Sequence, residues 1–469
     1  MIFFHIDKDN STYIYQAIYN QFKDAILQNK IPSNEKLPSK RKLAEQLGVS
    51  INSVSNAYER LLEEGYIYTI ERKGYFIENI TKFANLQEVS NTGALPEDLY
   101  EKPTVDKKDW LSLSHFTVDM SMFPFKEWLK CEKKAYELNW KELTEIPHPQ
   151  GPYSVRQTIA QLATMTRGVT CEPEQVVIGS GTLPLISQVM QLQKKNTKVA
   201  VENPGNYRIH KFLKDHFDVY PIDLDKKGIN IDKVEEINPN FLFITPSHQY
   251  PTGTIMPISR RIEVLNWATR VEGRYIVEDD YNSAFKYGTD NIPSLQCLDR
   301  NQRVIYVGSF SKTLSPNARM SYLILPPEML REYRKHYSTW VQGSNTLNLF
   351  TLHHFIENGE YTRHVKRMSH HYERKRKLLL KELQTRFKNE IEIKNASAGL
   401  HFLVNFSSNK PFYELEQRAK QEKLEISTIQ RFMLEEFKNE EGCSIVLGFA
   451  NIKDEDIPEA VDRLYHIVY

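Results

Sequence analysis

Two hydroxyls, a lysine and an arginine follow a short apolar run in the second half of this 469-residue chain. The run 304–307 is rich in β-branched residues, which predicts a buried strand, and Ser309, Ser311, Lys312 and Arg319 come after it. A lysine at the carboxyl end of a buried strand can lose its charge through desolvation and become nucleophilic. Hydroxyls and an arginine suit a phosphate dianion. Together these residues predict pyridoxal 5'-phosphate (PLP) held as a Schiff base on Lys312, although the motif alone is more often a polar loop.

A short glycine-containing turn supplies a second set of phosphate donors. It follows a predicted strand at 176–178 and opens a helix, so its free N–H groups and the helix dipole can hold an anion. An ordinary strand-to-helix turn is the alternative interpretation of so short a motif. The candidate phosphate-binding residues of this turn are Ser180, Gly181 and Thr182.

The serines and lysine at 309–312, with Arg319, resemble the S-x-S-K…R signature of fold-type I aminotransferases, except that Asn317 stands where the family usually has glycine. In that family a carboxylate keeps the pyridine nitrogen of PLP protonated and a tyrosine bonds the phenolic oxygen. The resemblance implies Asp279 and Tyr281 for these roles, with Asp280 as the alternative carboxylate. These acids could instead bind a metal, but no histidine pair is spaced to complete such a site, so no metal is predicted.

A Pro-Thr-Gly turn also resembles the aminotransferases, but the residue directly before it differs from theirs. The family usually has asparagine directly before a Pro-Thr-Gly turn, and here Tyr250 stands there. Either His248 or Gln249 replaces the hydrogen bond of that asparagine, or the bond is absent. An arginine fork suits a carboxylate, although an isolated arginine is more often a surface residue. The candidate residues for binding an effector are Tyr207, Arg208 and Arg431.

From residue 110 onward, strand-like runs alternate with helical stretches, which predicts an α/β fold with a large mixed sheet covered by helices. After a long helix at 361–387, shorter elements predict a smaller α/β lobe. The aminotransferase-like domain is therefore assigned to residues 109–469, with the small lobe at about 360–469. Residues 80–108 lose helical periodicity and collect Asn, Thr, Gly and Pro, which is typical of a linker. Such a coil would reach roughly 30 Å.

Residues 1–79 predict a winged helix-turn-helix. Apolar residues at helical spacing indicate a first helix at 13–28, Ser39 begins a second that ends at Gly48, and Ser50 begins a third. The buried stripe of the third helix is predicted to be Val54, Ala57, Tyr58, Leu61 and Leu62. Two short strands with a basic turn then form the wing. A small domain that binds protein is the alternative. The candidate DNA-binding residues are Ser39, Lys40, Arg41, Ser50, Asn52, Ser53, Asn56, Arg72, Lys73 and Gly74.

Three short motifs resemble the winged helix of GntR-type regulators: Leu37-Pro-Ser-Lys-Arg, Gly48-Val-Ser and Glu-Glu-Gly65-Tyr. This family often has arginine directly after the serine that opens the recognition helix, and here Ile51 stands there. One polar contact to DNA is therefore missing, so the site preference of the family does not transfer.

Composition and charge limit the classes of function and the compartment that remain possible for this chain. The net charge of +1 provides no global field for nucleic acid or membrane, so DNA contact must come from a local patch. The four cysteines lie far apart and form no C-x-x-C pair, which favours a reducing compartment and no zinc site. No signal peptide and no apolar run near ~20 residues is found. We therefore expect a soluble, cytoplasmic protein.

Both domains in this order resemble the MocR branch of the GntR regulators, in particular its members that respond to γ-aminobutyrate. The resemblance implies a PLP-dependent transcriptional regulator that senses γ-aminobutyrate or a similar ω-amino acid through external aldimine formation at Lys312. It also implies operator DNA as a partner and a homodimer that is domain-swapped head to tail. The alternative is an active aminotransferase with an accessory DNA-binding domain, and weak half-transamination is compatible with the regulator as well.

Overall fold

A computed structural model describes residues 13–80, 95–101, 107–287, 293–435 and 443–469. The chain divides into two compact units, Met1–Val105 and Asp106–Tyr469. The predicted linker at 80–108 spans this division, and most of it lies outside the described residues. The domain limits given above therefore remain predictions. Within the described ranges, no helix is long and apolar enough to cross a membrane. All four cysteines are free thiols.

The described part of the first unit contains three α-helices and a two-stranded antiparallel sheet: α1 (Ile14–Leu27), α2 (Lys40–Leu47), α3 (Ile51–Glu63), β1 (Ile67–Ile70) and β2 (Gly74–Ile77). The side chains of Ser39 and Ser50 accept hydrogen bonds from the first turns of α2 and α3, and Gly48 ends α2 at a φ of 64°. These caps place the chain reversal between α2 and α3 where the sequence predicts it.

The core of this unit is one apolar cluster. The four buried residues of α3, Val54, Ala57, Tyr58 and Leu61, pack with the apolar face of α1. The prediction that Leu62 is buried is wrong, because its side chain is 37% exposed. At 100° per residue, Leu62 lies beyond the edge of the stripe that the other four residues define.

The second unit begins with β3 (Leu111–Ser112) and follows the alternating pattern of an α/β protein. Its large lobe contains α4 (Phe125–Leu138), α5 (Tyr153–Arg167), β4 (Val176–Gly179), α6 (Thr182–Gln191), β5 (Lys198–Asn203), α7 (Tyr207–Lys214), β6 (Asp218–Asp225), β7 (Gly228–Ile229), α8 (Ile231–Ile237), β8 (Phe241–Ile244), α9 (Ile258–Arg270), β9 (Tyr275–Asp280), β10 (Val304–Ser309), β11 (Ser321–Ile324), α10 (Pro327–His336) and α11 (Thr346–Glu357).

In the described residues, these strands form an eight-stranded mixed sheet in the order β4-β11-β10-β9-β8-β5-β6-β7. Five neighbours, β10, β9, β8, β5 and β6, run parallel, and β11 and β7 are antiparallel to the strands beside them. Ligands of open α/β sheets bind outside the carboxyl ends of parallel strands. The candidate site residues follow or end four of these strands: Tyr207 and Arg208 come after β5, His248 and Gln249 after β8, and Asp279 and Ser309 lie in the last two residues of β9 and β10.

The small lobe follows a 28-residue helix, α12 (Glu360–Phe387). It contains β12 (Ile391–Lys394), β13 (His401–Phe406), α13 (Phe412–Gln421), β14 (Leu424–Glu425), β15 (Ser427–Thr428), β16 (Cys443–Gly448) and α14 (Ile457–Val468). Its antiparallel sheet has the order β12-β13-β16-β15, while β14 pairs with β3. The start of α12 packs in the core of the large lobe and the rest packs in the core of the small lobe. This helix therefore connects the two lobes.

Candidate cofactor and effector site

Lys312 lies in the loop after β10, at the inner wall of a cavity of about 430 Å³. Its Nζ atom donates a 2.7 Å hydrogen bond to the backbone carbonyl of His115. Burial lowers the pKa of the lysine to about 8, because an ammonium ion is poorly solvated there. The neutral, nucleophilic form of this amine is therefore more populated near neutral pH than in an ordinary lysine. This is the state that Schiff-base formation requires.

The cavity brings together residues that are far apart in sequence. The predicted site residues that line it are Thr182, Tyr207, Arg208, Asp279, Tyr281, Ser309, Ser311, Lys312 and Arg431. Further lining residues, which the sequence did not mark as site residues, include His115, Phe116, Glu202, Tyr250, His401 and Phe432. The cavity is thus lined by the amine of Lys312, the carboxyl groups of Glu202 and Asp279, several hydroxyls and two guanidinium groups.

The proposed phosphate donors meet at the start of α6. Thr182 opens that helix, and Ser309 and Ser311 are joined by a 3.1 Å hydrogen bond between their hydroxyls. Gly181 has a φ of 129°, and a Cβ atom there would lie 2.5 Å from a terminal nitrogen of Arg319. Only glycine therefore lets the guanidinium approach this turn. Ser180 and Gly181 belong to this turn and Arg319 lies against it, and none of the three is on the cavity lining.

Two neighbouring aspartates of β9 serve different sides of the sheet. Asp279 lines the cavity, and its Oδ1 atom is buried without a hydrogen-bond partner in the described residues. Burial and the charge of Asp280 raise the pKa of Asp279 to about 7. Asp280 instead accepts hydrogen bonds from Arg167 at 2.6 Å and from the Tyr306 hydroxyl at 2.5 Å. The structure therefore places Asp279, and not the alternative Asp280, towards the cavity.

The residues before the Pro-Thr-Gly turn take separate roles. The Nδ1 atom of His248 lies 3.0 Å from the Tyr281 hydroxyl. Gln249 turns away and donates to Glu202 at 3.3 Å and to the backbone carbonyls of Pro204 and Tyr250. Of the two residues considered for the missing asparagine, His248 contacts the candidate tyrosine. Gln249 instead fixes the turn.

Three buried histidines lie at this cavity: His115 and His401 line it, and His248 packs against His401 behind the lining. Burial lowers the pKa of His115 to about 3, with a further contribution from Lys312, and lowers that of His248 to about 4. Burial also places the pKa of His401 well below its usual value. His115 meets the Tyr250 hydroxyl at 2.9 Å. The cluster is therefore uncharged at neutral pH and adds no cation beside Lys312.

The two arginine candidates stand at the exposed rim of the same cavity. Arg208 follows Tyr207 in the first turn of α7, which Asn206 caps. Arg431 follows β15, and its Nε atom donates to Glu416 at 2.8 Å. In the described residues, Glu416 engages Nε alone, so the terminal nitrogens of Arg431 are left for another acceptor. The rim can therefore present two guanidinium groups to a carboxylate.

The candidate DNA-binding residues all belong to α2, α3, their caps and the wing. Eight of them are exposed: Ser39, Arg41, Ser50, Asn52, Asn56, Arg72, Lys73 and Gly74. Ser53 is half-buried, and its hydroxyl lies 2.8 Å from that of Ser50. Lys40 bends back to Ser55 at 2.7 Å and to Glu59 at 3.3 Å. A phosphate contact by Lys40 would therefore have to replace these internal bonds.

Comparisons with known proteins agree with both units. A family model described as Aminotransferase class I and II matches residues 107–464, and one described as Bacterial regulatory proteins, gntR family, matches residues 14–77. An HTH-type transcriptional regulator of Bacillus subtilis, YdeL, is 35% identical over 452 residues that cover 96% of both chains. The probable rhizopine catabolism regulatory protein MocR of Rhizobium meliloti is 25% identical and covers 98% of this chain and 94% of its own. This chain belongs to the MocR-type regulators of the GntR family.

Solved structures agree with the fold of the second unit of this MocR-type regulator. The multiple substrate aminotransferase of Thermococcus profundus has a TM-score of 0.70 and 21% identity, and covers 80% of this chain and 97% of its own. The predicted fold class is thereby confirmed: a GntR-type helix-turn-helix followed by an aminotransferase-like α/β domain. The predicted DNA-binding role of the first unit is likewise confirmed at the level of the family.

The cofactor of this aminotransferase-like domain is PLP, and the residues of the MocR-type regulator fit it. A buried, unpartnered carboxylate oxygen is costly, and the protonated pyridine nitrogen of PLP would satisfy Asp279. The glycine-lined turn at 180–182, the two serines and Arg319 suit its phosphate. Lys312 supplies the neutral amine. PLP would therefore engage both Asp279 and Lys312, which line the same cavity.

His115 and His401 illustrate what the sequence did not signal. His115 lies 197 residues before Lys312, yet its carbonyl accepts the lysine hydrogen bond. His401 begins β13 in the small lobe and packs against His115 and His248. No local motif surrounds either residue. Only the packing of the small lobe against the sheet brings them to the cavity.

Proposed function

We propose that this MocR-type regulator senses γ-aminobutyrate or a similar ω-amino acid and that the effector amine takes the place of Lys312. The observation that carries the proposal is that one cavity holds Lys312 on its inner wall and both Arg208 and Arg431 at its rim. An effector with an amine at one end and a carboxylate at the other would match Lys312 and the two arginines. The relatives named above do not decide between amino acids, so the effector is our inference from this geometry.

PLP supplies an aldehyde carbon that forms reversible bonds with amines. Lys312 would be the resident amine, and its lowered pKa of about 8 makes the neutral, nucleophilic form easier to reach. Asp279 would hold the proton of the pyridine nitrogen, and Tyr281 would bond the phenolic oxygen. Arg208 and Arg431 orient the carboxylate. The neutral histidines exclude a competing cation.

The response to the effector requires a difference between two states of the protein. An effector shifts a conformational equilibrium only by its difference in affinity for the two states. The cavity includes residues of the large lobe, such as Arg208, and residues of the small lobe, such as Arg431 and His401. A carboxylate shared by Arg208 and Arg431 would therefore favour one arrangement of the lobes. We propose that this arrangement is the signal that reaches the DNA-binding unit.

We further propose that the regulator is a homodimer and that each DNA-binding unit docks on the partner, head to tail. Phe125, Leu129 and Tyr136 of α4 are more than half exposed. At 100° per residue they form one stripe, and contiguous exposed apolar residues are typical of interfaces. Two copies would supply two winged helices for a repeated half-site. The swap itself rests on the length of the 80–108 linker.

The alternative function is turnover as an aminotransferase. The combination of Lys312, Asp279 and Tyr281 in one cavity favours it, since the same groups serve transamination. Turnover would consume the effector, whereas sensing requires that it stay bound. We therefore propose that transamination is slow or absent. Measurement of keto-acid release from each amino acid separates the two functions.

The visible absorbance spectrum of the PLP-loaded protein tests the proposal. We expect γ-aminobutyrate to shift the band of the wild type and to leave Lys312→Ala unchanged. Butylamine, which has the amine but lacks the carboxylate, distinguishes the contribution of the amine from that of the carboxylate. Arg208→Ala should weaken the response to γ-aminobutyrate and not the response to butylamine. Lys211→Ala, an exposed cation of the same helix, is the matched control. Equal responses of wild type and Arg208→Ala to γ-aminobutyrate would contradict the assignment of Arg208 to the effector carboxylate.

A further inference from the structure

Ile51 is an apolar residue at a place where a DNA-binding protein presents polar groups. It is the first residue of α3, directly after the capping Ser50, and its side chain is 49% exposed. It does not belong to the apolar cluster that forms the core of this unit. Ile51 is therefore not needed for that core, and its side chain is exposed to a partner of this end of the helix.

The other side chains of the first turn limit what this end of the helix can contact. The hydroxyl of Ser50 accepts from the Ser53 amide at 3.1 Å and lies 2.8 Å from the Ser53 hydroxyl, so these serines are engaged with each other. Asn52 is exposed. The first turn therefore presents one apolar group, Ile51, and one amide, Asn52.

The charges of the same unit favour DNA as the occupant of this surface. Arg41 of α2 and the wing residues Arg72 and Lys73 are exposed. Glu59, the acid one turn further along α3 than Ser55, is bonded by Ser55 at 2.8 Å and by Lys40 at 3.3 Å. Its charge is therefore partly compensated within the unit. Basic residues on α2 and on the wing suit the phosphates on either side of a helix in the major groove.

We infer that Ile51 is a specificity-determining residue that reads the methyl group of a thymine in the major groove. The inference rests on DNA reading by α3. The first residues of a recognition helix contact base edges, and the thymine methyl is the apolar group exposed there, whereas asparagine pairs with adenine. The first turn thus favours an A·T-containing step in each half-site. An arginine at this position would instead favour guanine.

The experiment begins with the full-length, PLP-loaded protein and a pool of random-sequence duplexes, from which the preferred site is selected. Each thymine of that site is then replaced by uracil, which removes only the methyl group. In the wild type, we expect one thymine per half-site at which the replacement weakens binding about four-fold, the equivalent of one buried CH₂ group. In Ile51→Ala, the same replacement should change binding less than about two-fold.

Leu62→Ala is the matched control, because Leu62 is also an exposed apolar residue of α3 but lies at its other end. It should retain the full uracil effect. Ile51→Arg should lose the uracil effect and select a different base at that position, which a variant that had merely unfolded could not do. Circular dichroism at the binding temperature verifies the helices of each variant.

Two results would overturn the inference. One is a selected site at which no thymine methyl matters. The other is a uracil effect that is equally large in Ile51→Ala, which would assign the methyl contact to another residue. Failure to select any duplex would instead contradict DNA reading itself, and with it the proposed function. The assignment of Ile51 and the assignment of DNA binding therefore fail in different ways.

Discussion

The Nδ1 atom of His248 and the hydroxyl of Tyr281 lie 3.0 Å apart in a buried part of the cavity wall. Burial keeps His248 neutral, with a pKa of about 4, and places the phenol pKa of Tyr281 well above its usual value. The phenol therefore stays protonated, and His248 is a partner that holds it. The sequence offered His248 or Gln249 for this part of the site, and only the structure distinguishes them.

Loss of this hydrogen bond should destabilise the second unit. We expect His248→Phe to lower its free energy of unfolding by about 1–3 kcal/mol, because the buried Tyr281 hydroxyl loses its hydrogen bond to His248. Adding Tyr281→Phe should cost little more, since the hydroxyl that lost this bond is then gone. All five tryptophans lie beyond residue 105, so urea unfolding followed by tryptophan fluorescence reports on this unit alone. Additive losses in the double variant would contradict the pairing.

The two aspartates of β9 should separate stability from cofactor binding. The ion pair between Arg167 and Asp280 has side chains that are 5% and 1% exposed. Asp280→Ala should therefore cost about 3–5 kcal/mol, because it removes the carboxylate that pairs with a buried guanidinium. Asp279→Ala should leave the unfolding of the PLP-free protein nearly unchanged and weaken the binding of PLP. Urea unfolding and PLP titration measure the two effects, and Glu137→Ala is the exposed control.

If Asp279→Ala and Asp280→Ala destabilise the PLP-free protein equally, the division of roles between the two faces of the sheet is wrong. If Asp280→Ala alone abolishes PLP binding while the fold is retained, Asp280 is the cofactor carboxylate. This would restore the alternative that the sequence left open.

The amine of Lys312 should react with aldehydes at lower pH than an ordinary lysine. Its pKa is lowered to about 8 by burial, and only the neutral form, which predominates above that pH, is nucleophilic. In the PLP-free protein, the rate of adduct formation with an aromatic aldehyde, trapped by borohydride, should therefore rise through a midpoint near pH 8. Lys312→Arg is the control, and its trapped adduct should be lost. A midpoint near the pKa of an ordinary lysine, about 10, would contradict the buried amine.

The exposed cations of the first unit should govern the salt dependence of DNA binding. Each phosphate that a cation neutralises contributes about 0.9 to the slope of log affinity against log salt. Replacing Arg41 or Lys73 by glutamine should therefore reduce the slope by about one unit each, without changing the preferred site. Lys40→Gln should have a smaller effect, because Lys40 is bonded to Ser55 and Glu59. Fluorescence anisotropy at several salt concentrations measures the slopes, with Lys133→Gln as the control.

Much of the fold could be predicted because its signals are local. The caps at Ser39 and Ser50, the apolar run at 304–307 and the polar residues that end β9 are visible within a few neighbours in sequence. Strand β6 (Asp218–Asp225) was not predicted. Acidic residues and Pro221 interrupt its apolar pattern, and its pairing with β5 is a long-range contact that periodicity does not report.

The candidate site divides in the same way. Lys312, Asp279 and the turn at 180–182 are part of motifs, so their types and spacing indicate their chemistry. The contribution of His115 depends on a backbone carbonyl, which any residue could supply. The direction of Asp280 follows from its position in β9 relative to Arg167 and Tyr306. These contacts of His115 and Asp280 arise from the packing of distant segments, so no local sequence motif indicates them.

The central claim is that an amine-binding cavity at Lys312 controls what the first unit does on DNA. In vitro transcription from a promoter that carries the selected site tests it most directly, with wild type and Lys312→Ala compared in the presence of PLP and with or without γ-aminobutyrate. We predict that γ-aminobutyrate, or another ω-amino acid tested in its place, changes transcript yield with the wild type and leaves it unchanged with Lys312→Ala. An identical response of both proteins, or no response of the wild type to any amino acid, would contradict the account.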